Sequence, residues 1–445
     1  MDKAAICEFA KEYAASGTVR LHMPGHKGVP LLGCEPYDLT EIKGADYLYE
    51  ASGIIRQSEE RTAALYGTAA TFYSTEGSSL SIKTMLAVIK HRISGRPKIA
   101  AARNCHRAFI NACILLDLEP VWVYPEKESS CICSSSVTPE DIERTLSSEP
   151  KCKAVYITSP DYTGRMADIR GISEVCKRHG AYLLVDNAHG AYLKFCSGSL
   201  HPIDLGADMC ADSAHKTLPC LTGGSYLHIS KNAPAEFAGL AKSEMALFAS
   251  TSPSYIIMQS LDLCAEELSD TLPERIRSCC CEIASLKQRL SEHGFSVVSG
   301  EPMKLTIEPR SFGYSGGELA DILRQSRIEC EYSDPGCIVL MPSPYNSRED
   351  LARLEAVLCG IERRPALPDE GLFTVPKPER ALLPREAYFK PYKTVPADQA
   401  EGLICARAAL SCQPSIPLIV GGEVFDKNII KILKNYSILE VNVLQ

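Results

Sequence analysis

The sequence predicts an α/β protein: a large domain on a mostly parallel sheet with helices on both faces, followed by smaller α+β domains. Three observations carry this. From about residue 50 to 230, apolar runs of strand length alternate with helix-length segments, and the runs lack the in–out alternation of a half-exposed sheet. Residues 235–293 are strongly helical. From residue 294 onward the strands are short and two further helix patterns recur, as in a small α+β domain.

In chain order, residues 1–35 read as an arm: one short helix, Lys3–Ala15, then Arg20-Leu-His-Met-Pro-Gly-His-Lys-Gly28, whose proline and glycines exclude regular helix. Residues 36–293 form the large domain. Its strands are expected at Lys98–Ala102, Val121–Tyr124, Ala154–Thr158, Tyr182–Asp186, Met209–Ala211 and Gly224–Ile229, and its helices include Ser79–Ile93, His106–Leu116 and Asp168–His179. A long helix, Glu274–His293, closes it. Residues 294–362 form a small α+β domain with strands Phe295–Val298, Lys304–Ile307 and Cys337–Met341 and helices Gly317–Ser326 and Ser347–Cys359. Residues 363–396 hold seven prolines with little periodicity and read as an ordered tether to a C-terminal domain, 397–445.

Composition narrows the functional classes. A chain of 445 residues is too long for one simple core and favours two or three domains. Net charge of −8 with no clustered basic face argues against non-specific nucleic-acid binding. No apolar run approaches the roughly 18 residues of a membrane span, and Met-Asp-Lys-Ala-Ala-Ile lacks the basic-then-apolar pattern of a signal peptide. A cytoplasmic location is expected. The 20 cysteines, densest at Cys131-Ile-Cys133 and Cys279-Cys280-Cys281, lack zinc-finger spacing and a nearby histidine to complete a tetrahedral set. They read as reduced core residues, with no metal site assigned.

The chemistry concentrates at strand ends, where open α/β sheets bind ligands. Tyr182-Leu-Leu-Val-Asp-Asn-Ala-His189 ends an apolar run on Asp186 and His189, and about thirty residues later Ser213-Ala-His-Lys-Thr217 follows another run. A lysine able to hold an aldehyde as a Schiff base, with a carboxylate to keep a pyridinium nitrogen protonated, is what pyridoxal phosphate chemistry requires. Asp186 equally reads as an N-cap for the next turn. The Gly77-Ser78-Ser79 turn opens a helix and offers backbone N–H groups and hydroxyls to a phosphate, although a plain serine N-cap has the same pattern. Ser213 and His215 add donors beside Lys216. His106, after the Lys98–Ala102 strand, is placed either to stack on a planar ring or to cap its helix.

Taken together these motifs resemble the bacterial ornithine/lysine/arginine decarboxylases of the aspartate-aminotransferase fold (fold type I of pyridoxal phosphate enzymes). The matching residues are Met23-Pro-Gly-His-Lys27, Asp38-Leu-Thr-Glu41, Gly77-Ser-Ser79, Arg103-Asn-Cys-His106, Thr158-Ser-Pro160, Asp186 with Ala188-His-Gly190, Ser213 with His215-Lys-Thr-Leu-Pro219, and Ser250-Thr-Ser-Pro-Ser-Tyr255. Pro384-Arg-Glu-Ala387 and Ile416-Pro-Leu-Ile-Val-Gly-Gly-Glu423 resemble that family's C-terminal domain. The length resembles the short form, without an N-terminal wing domain.

The resemblance implies a seven-stranded, mostly parallel sheet and pyridoxal 5'-phosphate as cofactor. It implies Lys216 as the residue of the internal aldimine, Asp186 on the pyridine nitrogen, His106 stacked on the ring and His189 positioning the cofactor. Ser78, Ser79, Ser213 and His215 would bind phosphate. Ser250 and Thr251 would come from a neighbouring subunit, making the active unit a homodimer or larger. The implied reaction is α-decarboxylation of arginine, lysine or ornithine, arginine first, in polyamine-type metabolism, with Glu423 as a candidate for the substrate's basic end. The chain departs from the family pattern at Glu76, Ile82, Asn187, Tyr192 and Ser411-Cys-Gln413. Two alternatives stay open. One is another fold type I reaction such as transamination, with Arg310 or Arg324 holding an α-carboxylate. The other is a non-catalytic regulatory relative, against which Lys216, Asp186 and His106 stand together.

Overall fold

The computed structural model describes residues 4–125, 134, 137–368, 377–410 and 416–445. The first elements are α1 (Ala5–Ala15), α2 (Ile54–Tyr66), β1 (Ala70–Ser74), α3 (Gly77–Lys90), β2 (Lys98–Ala102), α4 (Arg107–Leu116), β3 (Glu119–Val123), α5 (Pro139–Ser148), β4 (Cys152–Thr158) and α6 (Ile169–His179). They continue with β5 (Tyr182–Asp186), β6 (Met209–Asp212), the single turn α7 (Ala214–Thr217), β7 (Ser225–Ile229), α8 (Glu236–Phe248), α9 (Tyr255–Leu268) and α10 (Leu272–His293).

Seven strands form a sheet in the order β1-β7-β6-β5-β4-β2-β3. β2 pairs in parallel with β3 and β4, and β5 with β6, whereas β7 runs antiparallel to β1 and β6. The mostly parallel sheet expected from the sequence is present. β6 and β7 are buried along their whole length, which is why their runs show no alternation. β1 is not among the strands expected from the sequence. Its pairing with β7 is what makes it a strand, and no local signal carries that.

The chain divides into two compact units, Met1–Arg92 with Leu183–Ser278, and Ile93–Tyr182 with Cys279–Gln445. In the first, α1 is held to α9 by one buried carboxylate. Asp262 Oδ2 accepts from the backbone N–H of Ile6 at 2.8 Å and of Cys7 at 3.2 Å, two donors that the first turn of α1 leaves free. Its Oδ1 accepts from Ser58 and Arg61 of α2. Under the sheet, Tyr66 lies 4.3 Å from the His228 ring and 5.8 Å from Tyr226, and donates to the Ala191 carbonyl at 2.9 Å.

The second unit holds β2, β3 and β4 with Phe109 stacked on Tyr156 at 4.6 Å. It continues as β8 (Ser296–Val297), β9 (Leu305–Glu308), α11 (Gly316–Gln325), β10 (Tyr332–Ser333), β11 (Ile338–Leu340) and α12 (Arg348–Cys359). These strands make a four-stranded sheet, β10-β11-β9-β8. Capping boxes start α5 (Thr138, Asp141), α11 (Ser315, Glu318) and α12 (Ser347, Asp350), each side chain taking a backbone N–H that the helix cannot use. The tail carries α13 (Pro384–Tyr388), β12 (Tyr392–Pro396), β13 (Ala409–Leu410), β14 (Pro417–Ile419), α14 (Lys427–Asn435) and β15 (Glu440–Leu444). α13 and β12 fall inside the proline-rich stretch read as a tether. β12 tolerates its proline because Pro396 is its last residue and the sheet has only two strands, β12 and β15. Leu418, Phe425, Ile429 and Val443 pack with Tyr332 and Val339 in one core.

Among the described residues every cysteine is a free thiol, and Cys105, Cys113, Cys210 and Cys264 are core residues. Cys131, Cys133 and the segment Ser411-Cys-Gln413 lie outside the described residues. No described helix is long and apolar enough to cross a membrane.

Candidate active site

In the first unit the β1–α3 turn forms an open helix start. Glu76 stands at the N-cap but provides no side-chain cap to α3, so the N–H groups of the first turn have no partner from that side chain. Gly77 has φ +67°, a conformation costly for residues with a Cβ. Its N–H donates to the Gly223 carbonyl at 2.8 Å, and Gly223 itself (φ +99°) lies so close that a Cβ would meet the Thr75 carbonyl oxygen at 2.9 Å. Ser78 and Ser79 then sit in the first turn of α3, and Ser213 Oγ bonds Ser78 Oγ at 2.8 Å. Hydroxyls from β1–α3 and β6–α7 therefore converge beside a helix N-terminus, where the backbone dipoles favour an anion.

The Glu76 carboxylate accepts from the Ser250 N–H at 2.7 Å. Ser250 and Thr251 are exposed, and this contact puts Ser250 beside α3 of its own chain.

Lys216 lies in α7, one turn beyond β6. Its Nζ is 3.1 Å from His189 Nε2. Asp186 ends β5, is 1% exposed and pairs in register with Ala211 of β6, so the carboxylate and the lysine rise from neighbouring parallel strands. Asp186 Oδ1 accepts from the Ala188 N–H at 3.2 Å, the local turn contact that the sequence also allowed. His215 donates through Nδ1 to the Gly224 carbonyl at 2.8 Å. Burial pushes the His215 pKa down; the Gly224 carbonyl opposes this and the Lys216 charge adds to it. Seven of the expected residues, Ser78, Ser79, Asp186, His189, Ser213, His215 and Lys216, thus belong to three adjacent turns of one unit.

Sequence reasoning missed the layer behind them. Asp212, Asn187, His201 and His228 are all fully buried and joined through the Asp212 carboxylate. The available signal was a charged residue and a histidine in strands otherwise apolar, which burial penalises unless they are paired.

His106 and Glu423 belong to the second unit. His106 is the N-cap of α4, its Nδ1 accepting from the Ala108 N–H at 3.2 Å, which leaves Nε2 as the protonated nitrogen of a neutral ring. Glu423, the candidate for the substrate's basic end, is held by the protein itself. It is 2% exposed, and Arg103 grips it with two bonds, Nη1 to Oε1 at 2.9 Å and Nη2 to Oε2 at 3.2 Å. Trp122 Nε1 adds a bond at 3.0 Å and the Val420 N–H one at 2.8 Å. A carboxylate so partnered has little capacity left for a substrate cation. Burial pulls the Arg103 pKa down, but the adjacent Glu423 carboxylate outweighs it and holds the guanidinium above its usual range.

Residues 7–304 match the model of the Orn/Lys/Arg decarboxylase major domain. The chain belongs to the ornithine/lysine/arginine decarboxylase family. An arginine decarboxylase of Bacillus subtilis is 29% identical over 96% of this chain and 92% of its own. One of Halalkalibacterium halodurans is 27% identical over 94% of this chain and 90% of its own. The solved structure of lysine decarboxylase A from Pseudomonas aeruginosa superposes with a TM-score of 0.84 over 99% of this chain and 80% of that one, at 17% identity, a likeness of fold.

This decarboxylase is therefore a fold type I lyase acting on a basic amino acid with pyridoxal 5'-phosphate. The donor set fits the cofactor: an uncapped helix start with serine hydroxyls for a phosphate, a primary amine for an aldehyde and a buried carboxylate for a ring nitrogen. The arginines that kept transamination open are engaged elsewhere. Arg324 pairs with Asp321 and Glu329, and Arg310 donates to the Pro335 and Pro368 carbonyls.

Proposed function

We propose that this decarboxylase converts arginine to agmatine and CO₂ in polyamine-type metabolism, as a cytoplasmic homodimer. The nearly full-length relatives named arginine decarboxylase favour that substrate. The observation that carries the chemistry is the Lys216 amine 3.1 Å from His189, one turn beyond the strand that pairs with the one that buried Asp186 ends. When bound, pyridoxal phosphate supplies an electron sink at the substrate Cα. The protein's part is to hold it. Lys216 would anchor the aldehyde, Asp186 would pair with the ring nitrogen, His106 would stack on the ring and His189 would orient the amine. Ser78, Ser79, Ser213 and His215 would hold the phosphate, with Ser250 and Thr251 contributed across the dimer. Removing water from the substrate carboxylate favours loss of CO₂. Exposed apolar side chains along the arm, Leu21 at 91% and Leu32 at 90%, support a partner subunit.

Incubating the holoenzyme separately with arginine, lysine and ornithine, with CO₂ measured and the amine identified, tests the substrate. We expect agmatine from arginine, with kcat/KM at least about tenfold above the other two, the low end of the discrimination that one methylene of side-chain length supplies. Cadaverine or putrescine as the main product would reassign the substrate within the family.

A further inference from the structure

Behind the three site turns lies a buried polar cluster to which the proposed chemistry assigns no role. Asp212 is the last residue of β6, immediately before Ser213 and four residues before Lys216. Asn187 immediately follows Asp186 and precedes His189 by two. Both are fully buried, and Asn187 Nδ2 donates to Asp212 Oδ1 at 2.7 Å. Asp212 Oδ2 accepts from His201 Nε2 at 3.0 Å and His228 Nε2 at 3.2 Å, and Cys210 Sγ donates to Oδ1 at 3.3 Å. Beyond His228, Nδ1 meets Thr71 Oγ1 at 2.8 Å. Every contact made to the carboxylate comes from a donor, so an ionised Asp212 is fully satisfied. Burial pushes its pKa up, but the two histidines reverse this and hold it below the usual carboxylate range.

The amide has a defined direction. Asn187 Oδ1 is buried with no hydrogen-bond partner among the described residues, and it lies 2.0 Å from where a Cβ at Gly190 would stand. Forgoing a bond at Oδ1 is tolerated because Nδ2 reaches a charge. A backbone bond, Asn187 N–H to the Ala211 carbonyl at 2.9 Å, completes the tie between the ends of β5 and β6.

We propose that Asn187 and Asp212 form a complementary amide–carboxylate pair that positions the Asp186–His189 turn against the Ser213–Lys216 turn. Both are positioning residues: the Lys216–His189 distance depends on the register of the two turns, and this bond is a side-chain contact that joins them behind the site. The inference rests on the active-site reading proposed above. His201, Cys210 and Asp212 also place ligand atoms within 4.8 Å of one another, as a metal would need. The donors already around the carboxylate, and burial that keeps the Cys210 thiol protonated, favour the hydrogen-bonded cluster.

The test is an exchange of the two groups in the full-length holoenzyme. Asn187→Asp alone sets two carboxylates against each other. In Asn187→Asp/Asp212→Asn the new amide donates to position 187, and its oxygen still accepts from His201 and His228. For the single variant we expect pyridoxal phosphate affinity, followed by visible circular dichroism, to fall at least about tenfold, within the range measured for directly coupled buried pairs. The pH at which the cofactor's visible band changes should also move. In the double variant both should return to within about threefold of wild type. A double variant no better than the single one, whether misfolded or folded with weak cofactor binding, overturns the pairing. So does a stoichiometric metal in the wild-type protein whose chelation reproduces the loss. Should wild type itself show no cofactor band, the active-site reading fails; should wild type show it and Asn187→Asp match wild type, only this inference fails.

Discussion

Lys216→Ala is expected to abolish the visible absorbance of bound cofactor and to lower decarboxylation by at least about three orders of magnitude, the scale for losing a covalent catalytic group. The reason is chemical and local. Lys216 supplies the only side chain in the α7 turn able to condense with an aldehyde, and its Nζ is 3.1 Å from the His189 ring. Alanine keeps the helix and removes the nucleophile. Lys216→Arg should be equally inactive, because a guanidinium stays protonated and cannot form the bond. Spectra and CO₂ release measured on protein reconstituted with pyridoxal phosphate decide the matter. A visible band retained in Lys216→Ala would falsify the assignment.

Glu423→Ala is expected to cost about 3–5 kcal/mol of stability, the penalty for breaking a buried ion pair and leaving one charge uncompensated. Arg103 is 5% exposed and spends both terminal nitrogens on Glu423, with its guanidinium 4.6 Å from the Trp122 ring centroid. Without the carboxylate, that cation stays buried beside an indole and the Leu418 carbonyl. The alternative assignment, recognition of the substrate's basic end, makes the opposite prediction: little change in stability and a raised KM. Urea denaturation alongside steady-state kinetics separates them. A variant within about 1 kcal/mol of wild type but with a higher KM would return Glu423 to substrate recognition. Replacing both partners with apolar residues of similar volume should recover much of the loss, since no charge is then stranded.

Much of the molecule was legible before any coordinates. β2 and β5 occupy the residues expected for them, and β4, β6 and β7 begin or end within two residues of expectation. Fully buried strands leave uninterrupted apolar runs, and a polar residue that ends such a run stands out. That is why Asp186, His189, Ser213 and Lys216 stand out as candidates, with their roles supplied by the family resemblance. β1 and β12 were not legible, because one depends on pairing with β7 and the other on pairing with β15 across a proline-rich stretch.

By itself the sequence determined the fold class, the family and the strand ends that carry the candidate site residues, because hydrophobic periodicity and local motifs are properties of neighbouring residues. Only the tertiary structure decided which polar groups satisfy one another. Asn187 meets Asp212 across 25 residues and Arg103 meets Glu423 across 320. Such pairs follow from the need to partner every buried charge once the strands have packed, and packing brings together residues that no local pattern connects.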